Sequence, residues 1–490
     1  MTSSPTDLDH QRRWLILVVL GVAQLMVVLD ATIVNIALPS AQADLGFSDA
    51  DRQWVITAYA LAFGSLLLIG GRLGDLFGRR RLFVTGLLGF AAASAVGGLA
   101  DTFGVLVGAR AAQGVFGAML APSALGLLTT TFTTQPDRGK AFGIFGAIAG
   151  AGASIGLLLG GLLTEYLSWR WCMYVNLFFA IPAATGALML ISDVRPEHRP
   201  KLDLPGVAAA SSGLFLLVYG FSRAETDGWG DTLTLTSLGV AAALLALFAA
   251  IQLRAKQPLL PPRIVLDRNR GGAYLGMGIT AIGMFGVFLF LTFFLQRTLG
   301  FSPVESGLAF LPLTVAIAMS AGVATTRLLP KVGPRPLITG GMLTIAVALA
   351  LLAQLDVDSS YAAHVLPALM ILGLGMGQVF APVFATATLN VEFRDAGVAS
   401  AMVNTMQQVG GAIGTSLLST LAATATTDYV TSNGGPSPDV IAAAQVHGYT
   451  TAFWIASAII AAGAVVVGLT LRGGAPQVAA EPVGAAVAAH

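Results

Sequence analysis

The apolar segment 14–38 is long enough to cross a lipid bilayer, and its single charged residue is Asp30. A carboxylate at membrane depth costs several kcal/mol, so a chain retains one mainly where it faces a protein interior or a water-filled cavity. Asp30 is therefore predicted to mark an ion or substrate path. The alternative is a structural role, with Asp30 buried and bonded to a neighbouring helix.

The composition predicts that most of the chain lies in a membrane. Its 490 residues are 55% hydrophobic and 10% charged, whereas a soluble domain carries about 25% charged residues. The net charge of +1 argues against nucleic acid as a partner. The single cysteine, Cys172, excludes an intrachain disulfide and a thiolate metal cluster. We expect neither a metal nor another cofactor, and the absence of a P-loop sequence excludes ATP hydrolysis at such a loop.

Fourteen apolar segments of about 20 residues predict an all-α polytopic membrane protein with 14 transmembrane helices. If the N-terminus is cytoplasmic, the predicted inside segments hold 21 of the 26 Lys and Arg residues. The outside segments hold Arg52, Arg170, Arg223 and Arg297, and Arg110 lies within a span. Because positive residues concentrate in cytoplasmic loops, this split predicts that both termini are cytoplasmic. The expected location is the cell (plasma) membrane.

Three short sequences recur in the same order along the chain. The sequence LGFS at 45–48 recurs at 299–302, segment 72–82 matches 327–337, and GASIG at 152–156 resembles GGAIG at 410–414. The repeat predicts two six-helix bundles around a central cavity, as in many secondary transporters, with two helices inserted between them. The predicted units are a tail 1–13, an N-terminal bundle 14–192, inserted helices with linkers 193–270, a C-terminal bundle 271–471 and a tail 472–490.

Several motifs resemble those of one family. Segment 29–39, which contains Asp30, resembles the first-helix signature of the fourteen-helix drug:proton antiporters of the major facilitator superfamily. Segment 71–81 is similar to the superfamily motif between helices two and three, and 106–114 is similar to its fourth-helix motif. Segment 168–171 with Asn176 also fits this branch. The resemblance implies export of amphipathic small molecules, such as drugs, dyes or antibiotics, in exchange for protons by alternating access.

The charges at membrane depth are the predicted proton-coupling residues. Burial favours a neutral acid, which suits Asp30 as a group that binds and releases protons. The resemblance implies that Arg110 faces the cavity near helix one and is coupled to the Asp30 proton. Its alternative is a structural ion pair or a clamp on carbonyl groups. Since no acid lies deep in a span of the second half, a cationic substrate would have to compete with the proton at Asp30 itself.

Segment 71–81 predicts a latch between the two halves. Its glycines are expected to let a short loop pass close under neighbouring helices. Asp75 can meet a helix N-terminus of the other half, where the helix dipole favours an anion. The alternative is an ordinary positive inside loop, which explains the arginines but not Asp75. The predicted gating residues are Gly71, Gly74, Asp75, Gly78, Arg79 and Arg80.

Helix five carries glycines at the spacing that allows close helix packing. The predicted packing residues are Gly152, Gly156, Gly160 and Gly161. Related antiporters usually have Gly-Pro in this motif, but Leu157 follows Gly156 here. We therefore expect a less kinked fifth helix. A specific role of these glycines in setting the direction of transport stays open beside simple packing.

Polar residues in or at the ends of apolar spans are candidates for the substrate cavity. They are Gln24, Asn35, Tyr59, Gln113, Gln296, Asn404, Gln407 and Gln408. Each could instead form a hydrogen bond between helices.

Two other functions stay open, a proton-coupled symporter that imports a small solute and a non-transport membrane receptor. An enzyme is not expected, because neither a nucleophile with a paired base nor a soluble catalytic domain is recognisable. The expected partners are a small-molecule substrate, protons and membrane lipid, and the expected functional unit is a monomer.

Overall fold

The computed structural model describes residues 5–134, 137–193, 202–392 and 395–474, and these form long helices without any strand. The first eight helices are α1 Pro5–Leu45, α2 Asp49–Phe77, α3 Arg79–Gly98, α4 Phe103–Thr131, α5 Asp137–Tyr166, α6 Trp171–Leu190, α7 Leu204–Thr226 and α8 Thr232–Arg254. The other six are α9 Arg268–Thr298, α10 Val304–Val332, α11 Pro334–Leu352, α12 Tyr361–Ala387, α13 Ala396–Ser432 and α14 Pro438–Thr470.

All fourteen helices in the described part of the chain are long and apolar enough to cross a membrane, with α5 counted as one bent helix. The predicted number of spans is therefore confirmed. Because this number is even, α1 begins and α14 ends at the same face of the protein. We call it the terminal face and the opposite one the distal face.

The helices pack in two groups of six with a pair between them. In the first group α1 packs on α5 and α6, while α4 packs on α2 and α3. In the second group α9 packs on α13 and α14, while α12 packs on α10 and α11. The two groups meet along two seams, one between α5 and the pair α10 and α12, the other between α2 and α13. The inserted α7 packs on α8 and contacts both α2 and α13.

Two helices continue well beyond their predicted apolar spans. The predicted second span, 53–71, continues as α2 to Phe77, so the segment expected to be a gating loop is the last part of this helix. Only Gly78 separates α2 from α3, and its φ of 97° explains why glycine is needed there.

The predicted outside segment 423–448 is also mostly helical, since α13 runs to Ser432 and α14 begins at Pro438. Threonine hydroxyls along this part of α13 satisfy their donors within the helix, by bonding to carbonyls four residues earlier. The donors are Thr420, Thr424, Thr426, Thr427 and Thr431.

Helix α5 bends although it lacks the proline of related motifs. Its parts Asp137–Gly152 and Ile155–Tyr166 enclose an angle of 46°. The expectation of a less kinked helix is therefore wrong. The sequence at 150–154 is Gly-Ala-Gly-Ala-Ser, and combinations of glycine and serine are among the usual causes of sharp helix bends.

Arginines at the terminal face cap the C-terminal ends of helices. Arg12 and Arg80 donate to the carbonyls of Leu190 and Leu188 at the end of α6, over 2.8 and 2.6 Å. Arg268 donates to Leu469 O near the end of α14, over 2.7 Å. A cation is favourable at the negative end of a helix dipole. These arginines therefore have a structural role besides the predicted one in orientation.

Candidate functional site

Asp30 lies on α1 with no exposed surface, surrounded by polar side chains of three other helices. Arg110 Nη1 donates to its Oδ2 over 2.6 Å. Gln113 Nε2 and Asn176 Nδ2 donate to its Oδ1 over 2.9 and 2.7 Å. The same two amides donate to Ser94 Oγ over 2.6 and 2.8 Å. We call these five residues the Asp30 cluster, which joins α1, α3, α4 and α6.

Arg110 has further contacts that do not depend on Asp30. Its Nη1 also donates to Gln113 Oε1 over 2.8 Å, and its Nε donates to the carbonyl of Val55 over 3.2 Å. The guanidinium carbon lies 4.5 Å from the centre of the Tyr59 ring, a distance that allows a cation–π interaction. Arg110 therefore has three favourable contacts besides the Asp30 carboxylate.

The burial of the Asp30 cluster bears on the predicted competition between substrate and proton. The side chains of Asp30, Arg110 and Gln113 are buried among helices of the first group. Each of the three is at most 1% exposed in this conformation. In this conformation Arg110, Gln113 and Asn176 donate to the two Asp30 oxygens, and direct competition between a cationic substrate and the proton for this carboxylate stays a prediction.

Three of the four predicted packing glycines lie on the face of α5 that contacts α1. A Cβ atom at Gly152 would be 2.8 Å from Val28 Cγ1, and one at Gly160 would be 3.1 Å from Ile33 O. A Cβ atom at Gly156 would collide with Thr32. Gly161 is buried as well. Helix α5 therefore packs directly against the segment of α1 that carries Asp30.

Asp75 connects the two groups of helices at the terminal face. Its Oδ1 accepts hydrogen bonds from Arg79 Nη2 over 2.9 Å and from the backbone N–H of Gly397, in the first turn of α13, over 3.2 Å. A Cβ atom at Gly71 would be 2.6 Å from Gly397 O. The helices thus cross where both residues are glycines. This is the contact with a helix N-terminus that the sequence suggested for Asp75, and its role in gating stays a prediction.

The other predicted gating residues are not equally close to this crossing. A Cβ atom at Gly74 would meet nothing nearer than Ser123 Oγ at 3.4 Å, so no close approach requires glycine there. Arg80 bonds to the end of α6 instead of the α2–α13 crossing. The structure therefore brings together Gly71, Asp75 and Arg79, with Gly78 forming the turn that follows.

Arg138 forms a second connection between the groups that the sequence did not single out. It lies in the first turn of α5 and is buried. Its Nη2 donates to Ala385 O over 3.3 Å and to Thr388 Oγ1 over 3.1 Å, at the end of α12. Asp75 and Arg138 thus contact the two ends of the connection between α12 and α13. An anion meets the helix N-terminus and a cation meets the helix C-terminus, as the helix dipoles favour.

Asp395 adds an ionic contact to the same connection. It precedes α13 and forms a salt bridge with Arg263, in the short helix Pro262–Val265 that follows α8. Arg72 Nη1 of α2 lies 3.8 Å from Asp395 Oδ1. The segment that follows the inserted helices is therefore connected by a salt bridge to the start of α13, close to where α13 contacts α2.

The predicted cavity residues have different surroundings. Tyr59 and Gln113 belong to the surroundings of Asp30, and Asn404 Nδ2 donates to Ser400 O of its own helix over 3.1 Å. Gln408 faces α2, because a Cβ atom at Gly64 would be 3.8 Å from Gln408 Cβ. Gln24 is buried, Gln296 and Gln407 are half-buried. The side chain of Asn35 lies outside the described part of the structure.

Ser94 and Arg138 are the site residues that sequence reasoning missed. Ser94 is a polar residue inside an apolar helix, a signal that was available but weak. Arg138 counted only as a positive inside residue. Within the described residues, no group of three or more His, Cys, Asp or Glu could hold a metal ion.

Comparisons with known proteins agree with this architecture. The family model of the Major Facilitator Superfamily matches residues 20–415. The puromycin resistance protein pur8 of Streptomyces alboniger is 51% identical over 92% of this chain and 89% of its own length. The cephamycin export protein CmcT of Amycolatopsis lactamdurans is 39% identical over 84% of this chain and 85% of its own length.

A third relative and a solved structure extend the comparison. The tetracenomycin C resistance and export protein of Streptomyces glaucescens is 36% identical over 84% of this chain and 76% of its own length. The crystal structure of the human organic anion transporter MFSD10 (TETRAN) matches with a TM-score of 0.63 at 16% identity, over 94% of this chain and 99% of that chain. At this identity the solved structure supports the fold alone.

Proposed function

Because the chain belongs to the major facilitator superfamily, we propose that it is a secondary active transporter that exports amphipathic small molecules, antibiotics among them, by alternating access. The family consists of transporters and not of enzymes. The relatives named for puromycin resistance, cephamycin export and tetracenomycin C export support the substrate class.

Protons drive the export through the Asp30 cluster. The observation that carries this proposal is the fully buried Asp30 carboxylate, held by Arg110, Gln113 and Asn176. Burying a charge without a partner costs several kcal/mol, so the charge of Asp30 depends strongly on its immediate surroundings. Arg110 also contacts Val55 O, Gln113 Oε1 and the Tyr59 ring, which would have to hold its charge whenever Asp30 is neutral. A group with two accessible charge states is what proton coupling requires.

A change in the charge of Asp30 affects the seam between the halves through the packing of α1 against α5. Gly152, Gly156 and Gly160 pack α5 against the segment of α1 around Asp30. At its other end α5 carries Arg138, which contacts α12 across the seam. A shift of α1 that accompanies protonation therefore moves a helix that contacts both groups. The latch of Asp75 and Gly397 breaks when the terminal face opens and forms again when it closes.

The terminal face is the cytoplasmic face of the plasma membrane. This orientation is supported by the 21 Lys and Arg residues of the predicted inside segments, of the 26 in the chain. The monomer is the functional unit, with membrane lipid around it and without nucleic acid as a partner. The Gln24, Gln296, Gln407 and Gln408 side chains are the candidates for substrate contacts in the cavity between the halves.

Transport in proteoliposomes with an imposed pH gradient tests this function. The compounds to be compared are puromycin, a cephamycin, tetracenomycin C and lincomycin. We expect accumulation of at least one of them against its gradient, on the side from which protons leave, and a loss of accumulation when the gradient is dissipated. Movement of substrate and protons in the same direction would instead assign the chain as a symporter. Binding of a compound without any movement across the membrane would assign it as a receptor.

A further inference from the structure

A shallow, largely open groove lies between α2 and the inserted helix α7, halfway along both helices. It has a volume of ≈ 420 Å³ and is lined by Ser65, Ser211, Ser212, Phe215 and Leu216. Its residues lie near the centres of the apolar helices Trp54–Phe77 and Leu204–Thr226. The volume is within the range of small-molecule sites, about 300–1,000 Å³.

The polar lining of this groove is unusual for a surface at membrane depth. Ser65 Oγ donates to Ala62 O of its own helix. Within the described residues, neither Ser211 nor Ser212 forms a hydrogen bond, and both are at least partly exposed. Polar groups without partners are costly in the hydrocarbon region. The two hydroxyls are therefore available to a molecule that brings its own polar atoms to this depth.

A row of aromatic rings leads from the distal end of α2 to the groove. Trp54 and Tyr219 have ring centres 6.4 Å apart, and Tyr219 and Phe215 are stacked at 6.3 Å with an angle of 12° between their planes. Trp54 and Phe215 are each 41% exposed. Flat, exposed rings offer stacking to an aromatic compound, whereas a saturated acyl chain gains nothing from the hydroxyls.

The inner edge of the groove reaches the seam between the two groups of helices. Gly64, next to Ser65, stands where α2, α7 and α13 meet. A Cβ atom there would be 3.7 Å from Val218 and 3.8 Å from Gln408. Gln408 is one of the candidates for the substrate cavity. Ser65 of the groove is thus the chain neighbour of the residue at which α2 contacts Gln408.

We propose that the α2–α7 groove is an entrance site, at which amphipathic aromatic compounds dissolved in the bilayer bind before they pass the α2–α13 seam. This proposal rests on the proposed export function and specifies how its substrates arrive. It also gives the inserted helices a task, because α7 forms one wall of the groove. The hydroxyls bind the polar part of the compound and the aromatic row binds its rings.

Photocrosslinking in liposomes of phosphatidylethanolamine and phosphatidylglycerol tests binding independently of transport. The probe is radiolabelled tetraphenylphosphonium, an aromatic cation that partitions into lipid. We expect saturable labelling of Phe215→p-benzoylphenylalanine and no saturable labelling of Val240→p-benzoylphenylalanine, whose position on α8 is also exposed. Equal, non-saturable labelling of both would overturn the proposal. Labelling of position 215 by a photoreactive phosphatidylglycerol that the cation does not displace would assign the groove to lipid, and would also overturn it.

A variant that fills the groove tests its role in transport. Ser212→Leu removes a hydroxyl and adds aliphatic bulk, and is expected to raise the apparent KM for tetraphenylphosphonium export about fivefold, within the range of one lost hydrogen bond. The maximal rate and binding in detergent should not change. Ala243→Leu adds aliphatic bulk at an exposed position of α8 and is the control. An unchanged KM in Ser212→Leu, or the same change in both variants, would overturn the proposal. If the wild type does not transport tetraphenylphosphonium, this cation is not among the exported compounds. The crosslinking experiment then still shows whether the groove binds it.

Discussion

Asp30 and Asp75 are both buried carboxylates bonded to an arginine, yet their other partners belong to different parts of the molecule. All partners of Asp30 lie in the first group of helices, and both of its oxygens accept hydrogen bonds. Asp75 Oδ1 accepts from Arg79 and from Gly397 of the second group, while its Oδ2 has no partner in the described residues.

This difference separates two tasks of a transporter. The bonds of Asp30 lie within one packed group, so they can persist in either arrangement of the halves and change mainly with the charge of the cluster. The bond that Asp75 accepts from Gly397 crosses the seam, so it cannot survive an opening of the terminal face there. One site is suited to sense a proton and the other to hold a conformation.

The largest expected effect is the loss of proton-driven export in Asp30→Asn. An amide cannot take up a proton, so a gradient worth about 2.3 kcal/mol per charge at 100 mV has no site to act on. We expect accumulation driven by a pH gradient to fall to the level of empty liposomes, while exchange of labelled for unlabelled substrate continues.

The matched control for this variant is Asp44→Asn, at the distal end of α1, where Asp44 pairs with Arg170 near the protein surface. It should retain accumulation. Full gradient-driven transport by Asp30→Asn would remove Asp30 from the mechanism.

Asp75→Asn should slow turnover about tenfold without changing substrate affinity. A hydrogen bond to a charged group contributes about 1.5–3 kcal/mol, and 1.4 kcal/mol corresponds to about a factor of ten in rate. Maximal export rate and equilibrium binding are the two measurements. Asp193→Asn breaks an ion pair with Arg81 at the terminal face that does not cross the seam, and serves as control. Tenfold weaker binding at an unchanged rate would identify Asp75 as a ligand group.

Arg138→Gln should have a smaller effect of the same kind, about threefold on turnover, because its bonds to the end of α12, at 3.3 and 3.1 Å, are longer than the roughly 2.7–2.9 Å of strong charge-assisted bonds. Since Arg138 and Asp75 contact the two ends of one connection, the double variant should be faster than the product of the single effects predicts.

Spin labels on Lys140→Cys and Arg335→Cys, in a Cys172→Ser background, should show longer distances across the terminal face in Arg138→Gln. Arg268→Gln, which removes a cap within the second group, should leave them unchanged. If the turnover of the double variant falls by the full product of the two single effects, the two contacts act independently of each other.

Asn404→Ala should have the smallest effect, with KM and maximal rate within about twofold of the wild type. Its amide donates to Ser400 O of the same helix, and such a bond contributes about 1 kcal/mol or less to stability. A rise in KM of about tenfold for an exported compound would place Asn404 among the substrate contacts after all.

The sequence predicts the charged part of the site better than its neutral part. Asp30 and Arg110 stand out because a charge at membrane depth is rare and needs a reason. Gln113 follows from Arg110 by helical spacing. Ser94 and Asn176 lie on α3 and α6, and their meeting depends on how four helices pack. No local pattern in a single sequence contains that information.

Helix boundaries show a similar limit. The length of an apolar segment predicts which part of a helix lies inside the membrane. Helices α2 and α13 continue beyond their apolar segments, because adding residues to a formed helix costs little when their polar side chains have partners. Helix α5 bends although it lacks the proline, so the missing proline was a poor guide to its shape.

Proton release on substrate binding is the most direct test of the claim that Asp30 couples protons to transport. The measurement is the pH change of a weakly buffered detergent solution when an exported compound saturates the protein. Proton and substrate favour opposite states in an antiporter, so linkage requires binding to release protons and affinity to fall as the pH is lowered. We expect about one proton per wild-type molecule, and neither proton release nor pH dependence in Asp30→Asn. Equal proton release by the wild type and Asp30→Asn would contradict the account.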